Sequence, residues 1–180
     1  MRKSLFQNIE IPEGVEVTLN GDLLTIKGKA GENKREFQTE NLTFEKKGNE
    51  IIIGNKKSTK AEKKLMNTIA SHVRNMIQGT QEKYEYLLKI CFSHFPISVE
   101  VQGNTAVIKN FLGEKKERRA KIPAGVEMKV NKDVITIIGN NKEVAGQAAA
   151  NLETATKIRA RDRRVFQDGI FLTSKAGKEI

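Results

Sequence analysis

Residues 11–28 read IPEGVEVTLNGDLLTIKG, and residues 122–139 read IPAGVEMKVNKDVITIIG. Ten of the eighteen positions are identical. In both segments apolar and polar side chains alternate ahead of a turn: Val15, Val17 and Leu19 in the first, Val126, Met128 and Val130 in the second. Alternation at period two marks a strand with one buried face. Asn20-Gly21 supplies a hairpin turn, because both residue types accept positive φ. Each segment therefore predicts a β-hairpin.

A longer repeat surrounds this one, at an offset of 81 to 84 residues. Val17, Leu19, Gly21, Ile26 and Lys27 fall onto Val99, Val101, Gly103, Ile108 and Lys109, and the run from Glu50 to Gly54 falls near that from Asp133 to Gly139. Segment 11–28 is then the first hairpin of copy one, and 122–139 the second hairpin of copy two. A helix follows at both places. In the first, Ala61, Leu65, Ile69 and Val73 recur at i, i+4, with Met66, Met76 and Ile77 beside them. In the second, Val144, Ala148, Leu152 and Ala155 recur, with Ala145, Ala149 and Ile158 adjacent. One apolar stripe per helix places each helix on one face of a sheet. Thr59 with Glu62, and Asn140 with Glu143, have capping-box spacing, and Gly79 is a candidate helix stop.

The fold expected is α+β: two tandem similar domains, each an antiparallel sheet with one packed helix. The first repeat spans 1–80, a linker and leading strand 81–92, the second repeat 93–160, and a basic C-terminal tail 161–180.

The chain has 32 Lys plus Arg against 22 Asp plus Glu, a formal charge of +10, with mean hydropathy −0.49. Such an excess favours a polyanionic partner, since each neutralised phosphate releases counterions. No apolar run reaches the length of a membrane span, so no membrane partner is expected. The opening MRKSLFQN has no long apolar core behind its charges, so no secretory signal is expected. Cys91 is the single cysteine, which leaves no internal disulfide and no thiolate cluster for zinc, and fits a cytoplasmic location.

No phosphate-binding loop, dinucleotide fingerprint, nucleophile elbow or HExxH pair occurs. Cys91 and His94 stand three apart and could be read as nucleophile and base, but the apolar context of Cys91 favours a small core residue. No catalytic residue, metal, cofactor or small-molecule substrate is expected.

Two basic segments remain. Residues 109–121, KNFLGEKKERRAK, hold Lys109, Lys115, Lys116, Arg118, Arg119 and Lys121 against Glu114 and Glu117, with Gly113 where backbone can approach a ligand. A solvated loop with internal ion pairs is an equal reading of this stretch. Residues 157–164, KIRARDRR, hold Lys157, Arg159, Arg161, Arg163 and Arg164 against Asp162 alone. Cations at a helix C-terminus complement its dipole, which accounts for Lys157 and Arg159 but not for the three arginines beyond. Six of the nine arginines lie in these two segments, and arginine offers a planar fork to phosphate and a face to bases. A third cluster, Lys56, Lys57, Lys60, Lys63 and Lys64, holds no arginine and reads as a solvated helix face.

Four stretches, IEIPEGVEV, FSHFPISVEVQGNTAVIKNFLGEKK, GQAAANLETATKI and RDRRVFQDGIF, together resemble the large-subunit ribosomal protein six family in its archaeal and eukaryotic form. The resemblance runs from about residue 6 to 172 and leaves TSKAGKEI without an assigned role. It implies a structural component of the large ribosomal subunit, located on the cytoplasmic ribosome. It further implies binding to large-subunit rRNA near the sarcin–ricin region and the factor-binding stalk base, beside neighbouring ribosomal proteins. The family's rRNA contacts map onto Lys109 to Lys121 and Arg159 to Gly169. A free-standing RNA-binding regulatory module is the alternative.

Overall fold

The computed structural model describes residues 3–39 and 42–180. The chain divides into two compact units, 1–83 and 84–180. The first unit contains β1 (Lys3–Glu10), β2 (Glu16–Asn20), β3 (Leu23–Gly28), β4 (Gly31–Glu36), β5 (Thr43–Lys47), β6 (Glu50–Ser58) and α1 (Lys60–Gln81). The second contains β7 (Tyr84–Cys91), β8 (Ser98–Gln102), β9 (Thr105–Lys109), β10 (Arg118–Lys121), β11 (Val126–Asn131), β12 (Val134–Gly139), α2 (Lys142–Ala155), β13 (Gly169–Lys175) and β14 (Lys178–Glu179).

Both units repeat one plan, and every strand pair is antiparallel. A three-stranded meander, β2-β3-β4 or β10-β9-β8, accompanies a second sheet in which the leading strand pairs with the closing hairpin, β1-β6-β5 or β11-β12-β7. The doubled hairpin of the sequence is thus real in each place, and its two occurrences belong to different sheets. In the first of them Asn20 pairs with Leu23, so the turn's central residues are Gly21 and Asp22 rather than Asn20 and Gly21. Gly21 takes the left-handed φ of 61° there, and Lys132 takes 51° at the equivalent place.

The apolar stripes close the cores. On α1 the buried face is Met66, Ile69, Ala70, Val73, Met76 and Ile77, while Leu65 is exposed. On α2 it is Ala145, Ala148, Ala149 and Leu152. Small side chains let α2 lie close to its sheet: the Tyr86 hydroxyl donates to Lys142 O at 3.0 Å. Glu62 accepts from the Thr59 N–H in a capping box on α1. On α2 the cap is Asn141, not Asn140, with its side chain accepting from Glu143 N at 2.9 Å and Val144 N at 3.4 Å.

Gly79 does not end α1. The helix runs on to Gln81 because the Thr80 carbonyl, buried beneath the β3–β4 turn, accepts the Ala30 N–H at 2.8 Å. The boundaries expected at 80, 92 and 160 also shift. The leading strand expected within 81–92 is β7, the middle strand of a five-stranded sheet ordered β11-β12-β7-β13-β14. Its alternate residues Tyr84, Tyr86, Leu88 and Ile90 are all buried. The basic C-terminal tail expected over 161–180 holds two strands. Residues 169–175 form β13, which pairs with β7 from Gly169 opposite Cys91 to Lys175 opposite Tyr86. The TSKAGKEI stretch completes that strand and turns back as β14. Among the described residues the first unit has no strand matching β13.

Candidate nucleic-acid interface

The arginine-rich segment is a loop held at both ends. Thr156 ends α2; its buried hydroxyl donates to Leu152 O at 3.2 Å and accepts the Ile170 N–H at 3.0 Å. That pair of bonds brings the start of β13 back to the end of the helix. Between them run residues 157–168, without helix or strand. Ile158 is buried at one end and Asp168 at the other. Asp162 folds the middle, its side chain accepting Arg164 N at 2.9 Å and its carbonyl accepting Phe166 N at 2.9 Å. Ala160 takes a left-handed φ of 55°, a conformation that costs a side-chain-bearing residue roughly 1–2 kcal/mol.

Asp168 stitches this loop to the FSHFP stretch. It is 1% exposed, and it accepts from Ser93 N at 2.5 Å, His94 N at 3.1 Å and His94 Nδ1 at 2.6 Å. Burial alone would push its carboxyl up, but these hydrogen bonds outweigh burial and hold its pKa below the ordinary value. The His94 ring stacks on Phe166 at 4.8 Å, and the Arg161 guanidinium lies 4.8 Å from the other ring partner of that stack, Phe166 itself. Ser93, His94 and Asp168 have the composition of a hydrolytic triad. Their geometry differs: Ser93 Oγ at 3.1 Å and Asp168 at 2.6 Å both meet Nδ1. A triad needs one ring nitrogen for each partner.

The second basic segment joins the same face. After Lys109, Asn110 and Leu112 take left-handed φ values of 59° and 51° around a short 3-10 turn, Phe111–Gly113. Arg118 is turned inward. It grips Glu114 at 2.8 and 2.6 Å, donates to Ala155 O at the end of α2 at 2.8 Å, and lies 4.2 Å from the Phe111 ring centre. The hydrogen bond from Arg118 holds the Glu114 carboxyl below its usual range, and the charge of Arg161 adds to that lowering. Glu114 thus marks where the two basic segments meet.

The structure sorts the expected RNA-contacting residues. Lys115, Lys116, Lys121, Lys157, Arg159, Arg161 and Arg163 are exposed, with no carboxylate within 4.0 Å among the described residues. Arg119 is 71% exposed with Glu117 at 3.9 Å, and Arg164 is 90% exposed although paired with Asp162 at 2.9 Å. Three residues are placed otherwise. Arg118 is committed to its own fold. Lys109 is half-buried and paired with Glu100 at 2.8 Å. Gly169 is buried beneath the Phe171 ring, so its backbone offers no surface to a ligand. Gly113 is exposed with φ +74°, and the Phe95 ring covers the place of a side chain. Sequence reasoning did not find His94, Phe166 and Asp168 as the frame of this surface. Their signal was the co-occurrence of FSHFP and RDRRVFQDGIF. No metal-holding cluster occurs among the described residues.

The family model described as Ribosomal protein L6 matches residues 11–83 and again 95–169, one match per structural unit. The chain belongs to the ribosomal protein L6 family. Ribosomal protein L6 relatives cover nearly the whole chain. Large ribosomal subunit protein uL6 of Methanocella arvoryzae is 47% identical, covering 94% of this chain and 97% of that protein. The protein of the same name from Methanobrevibacter smithii is 46% identical over 94% and 95%, and that from Methanosarcina mazei 44% identical over 98% and 100%. Ribosomal protein L6 is a structural, non-enzymatic family, which removes any catalytic role for Cys91 or His94.

Proposed function

We propose that the chain is a structural component of the large ribosomal subunit that binds rRNA through its second unit, on the ribosome in the cytoplasm. One observation carries the reading. Six exposed cations gather on two loops that Arg118 and Asp168 hold in fixed places, Lys121 follows at the end of β10, and none of the seven has a carboxylate within 4.0 Å among the described residues. A rigid cationic surface of this kind neutralises phosphates at a defined spacing and reads RNA by shape more than by base sequence. The names of the relatives place those proteins in the large subunit, and membership of their family supports the same assembly here. Contact near the sarcin–ricin region and the stalk base, next to other ribosomal proteins, follows from the family resemblance. The test is co-sedimentation of the tagged chain with large subunits through a high-salt cushion. Retention with the large subunit is expected; release of the chain as free protein or bound to other RNA would favour a free-standing RNA-binding module instead.

A further inference from the structure

Beside the arginine loop the second unit holds a cavity of about 790 Å³, within the range of sites that take small organic groups. The last turn of α2 and the residues after it, Thr154, Thr156 and Ile158, line one part of it. Phe92, Phe166 and Phe171 line it together with Lys157 and Arg163, and its two carboxylates, Glu153 and Asp168, are engaged by the Leu172 N–H and by Ser93 and His94. Phe92 is 44% exposed and Phe171 46%, so two large rings face solvent in a concavity when the core nearby is closed. Phe166 is engaged with His94 and Arg161; Phe92 and Phe171 have no ring partner among the described residues.

A phosphate alone would use Lys157 and Arg163 and leave the rings unexplained. An apolar protein side chain would use the rings and leave two cations at its rim. A nucleotide uses both: its base has a π-face for an aromatic platform, and its phosphates meet the cations. Arg163 lines this cavity and belongs to the same loop as Arg159 and Arg161, so RNA held by that loop lies beside the cavity. We propose that the cavity takes a single base unstacked from the bound RNA, with flanking phosphate on Lys157 and Arg163, a site that rests on the rRNA-binding reading above.

The test uses the full chain and purified large-subunit rRNA, with binding measured across a series of salt concentrations. The double variant Phe92→Leu, Phe171→Leu keeps apolar bulk and removes both stacking faces. Its affinity should fall roughly tenfold to a hundredfold at every salt concentration, with the slope of log affinity against log salt unchanged, because no charge is lost. Unaltered affinity, or a shallower slope, overturns the proposal. Thermal melting checks the fold. Phe171→Tyr, which keeps the aromatic face, should bind like the parent while Phe171→Leu alone binds more weakly; equal binding by the two overturns it as well. A double variant that binds free rRNA normally but is lost from purified subunits assigns the cavity to a protein neighbour, against the proposal. The broader reading is judged apart, by the Arg161, Arg163 and Arg164 variant described below. If that variant flattens the salt slope while the phenylalanine variant changes nothing, only the base site fails.

Discussion

Asp168 and His94 are joined by a 2.6 Å contact between a carboxylate that is 1% exposed and the ring Nδ1 of a partly exposed histidine. Two backbone N–H groups, of Ser93 and His94, converge on the same carboxylate. The ionised form is the one these donors stabilise. Its folded pKa lies below the ordinary value, so its contribution is whole above roughly pH 4 and is lost as pH falls through the folded value. Asp168→Asn should cost the second unit about 1–3 kcal/mol at neutral pH and flatten the acid limb of its stability. Urea unfolding at a series of pH values checks both; an acid limb identical to the parent's would dismiss the role.

Changing Arg161, Arg163 and Arg164 together to Ala should leave the fold standing, since all three are exposed. The salt slope of rRNA binding should become shallower by about two to three units. A slope equal to that of the parent would mean these arginines meet no phosphate.

Arg118→Ala should do the reverse. Arg118 joins Glu114, the Ala155 carbonyl and the Phe111 ring, so its loss should lower stability by about 1–3 kcal/mol. The salt slope should hold. Calorimetric melting paired with the same binding series separates the two kinds of arginine.

Gly28→Ala tests the seat of the first helix. A side-chain carbon at Gly28 would stand 2.5 Å from the Thr80 carbonyl oxygen, and that carbonyl is fixed by Ala30. Backbone must therefore move. A loss of about 1–3 kcal/mol is expected, read as a lower urea midpoint with the slope of unfolding unchanged.

Gly113→Ala should destabilise by about 1–2 kcal/mol, because Gly113 has φ +74° and the Phe95 ring would lie 3.2 Å from the new carbon. Thermal melting gives the answer; a variant as stable as the parent would show that the turn relaxes freely.

Local pattern made much of this legible. Val17 and Ile26, or Ile135 and Ile137, declare buried strand faces by spacing alone, and Thr59 with Glu62 declares a helix start. What stayed hidden depended on partners distant in the chain. Arg118 looks like its neighbour Arg119 in the string KKERRAK, yet one is spent on Ala155 and the other faces solvent. Gly79 looks like a stop, but the need to place Thr80 against Ala30 carries the helix past it. Gly169 looks like a place for close RNA approach, and the Phe171 ring covers it instead. Charge runs and lone glycines carry no mark of which contact claims them.

The pairing of β13 with β7 also sets an order of birth. The first unit has every sheet partner in hand once residue 83 is made. The second begins with β7 and lacks that strand's other neighbour until Gly169 and the residues after it arrive. Roughly eighty residues intervene, which take roughly 4–16 s to synthesise. During that wait β7 holds an uncovered edge, and Glu85 and Lys89 on its exposed face supply the charge that discourages a wrong strand from joining it.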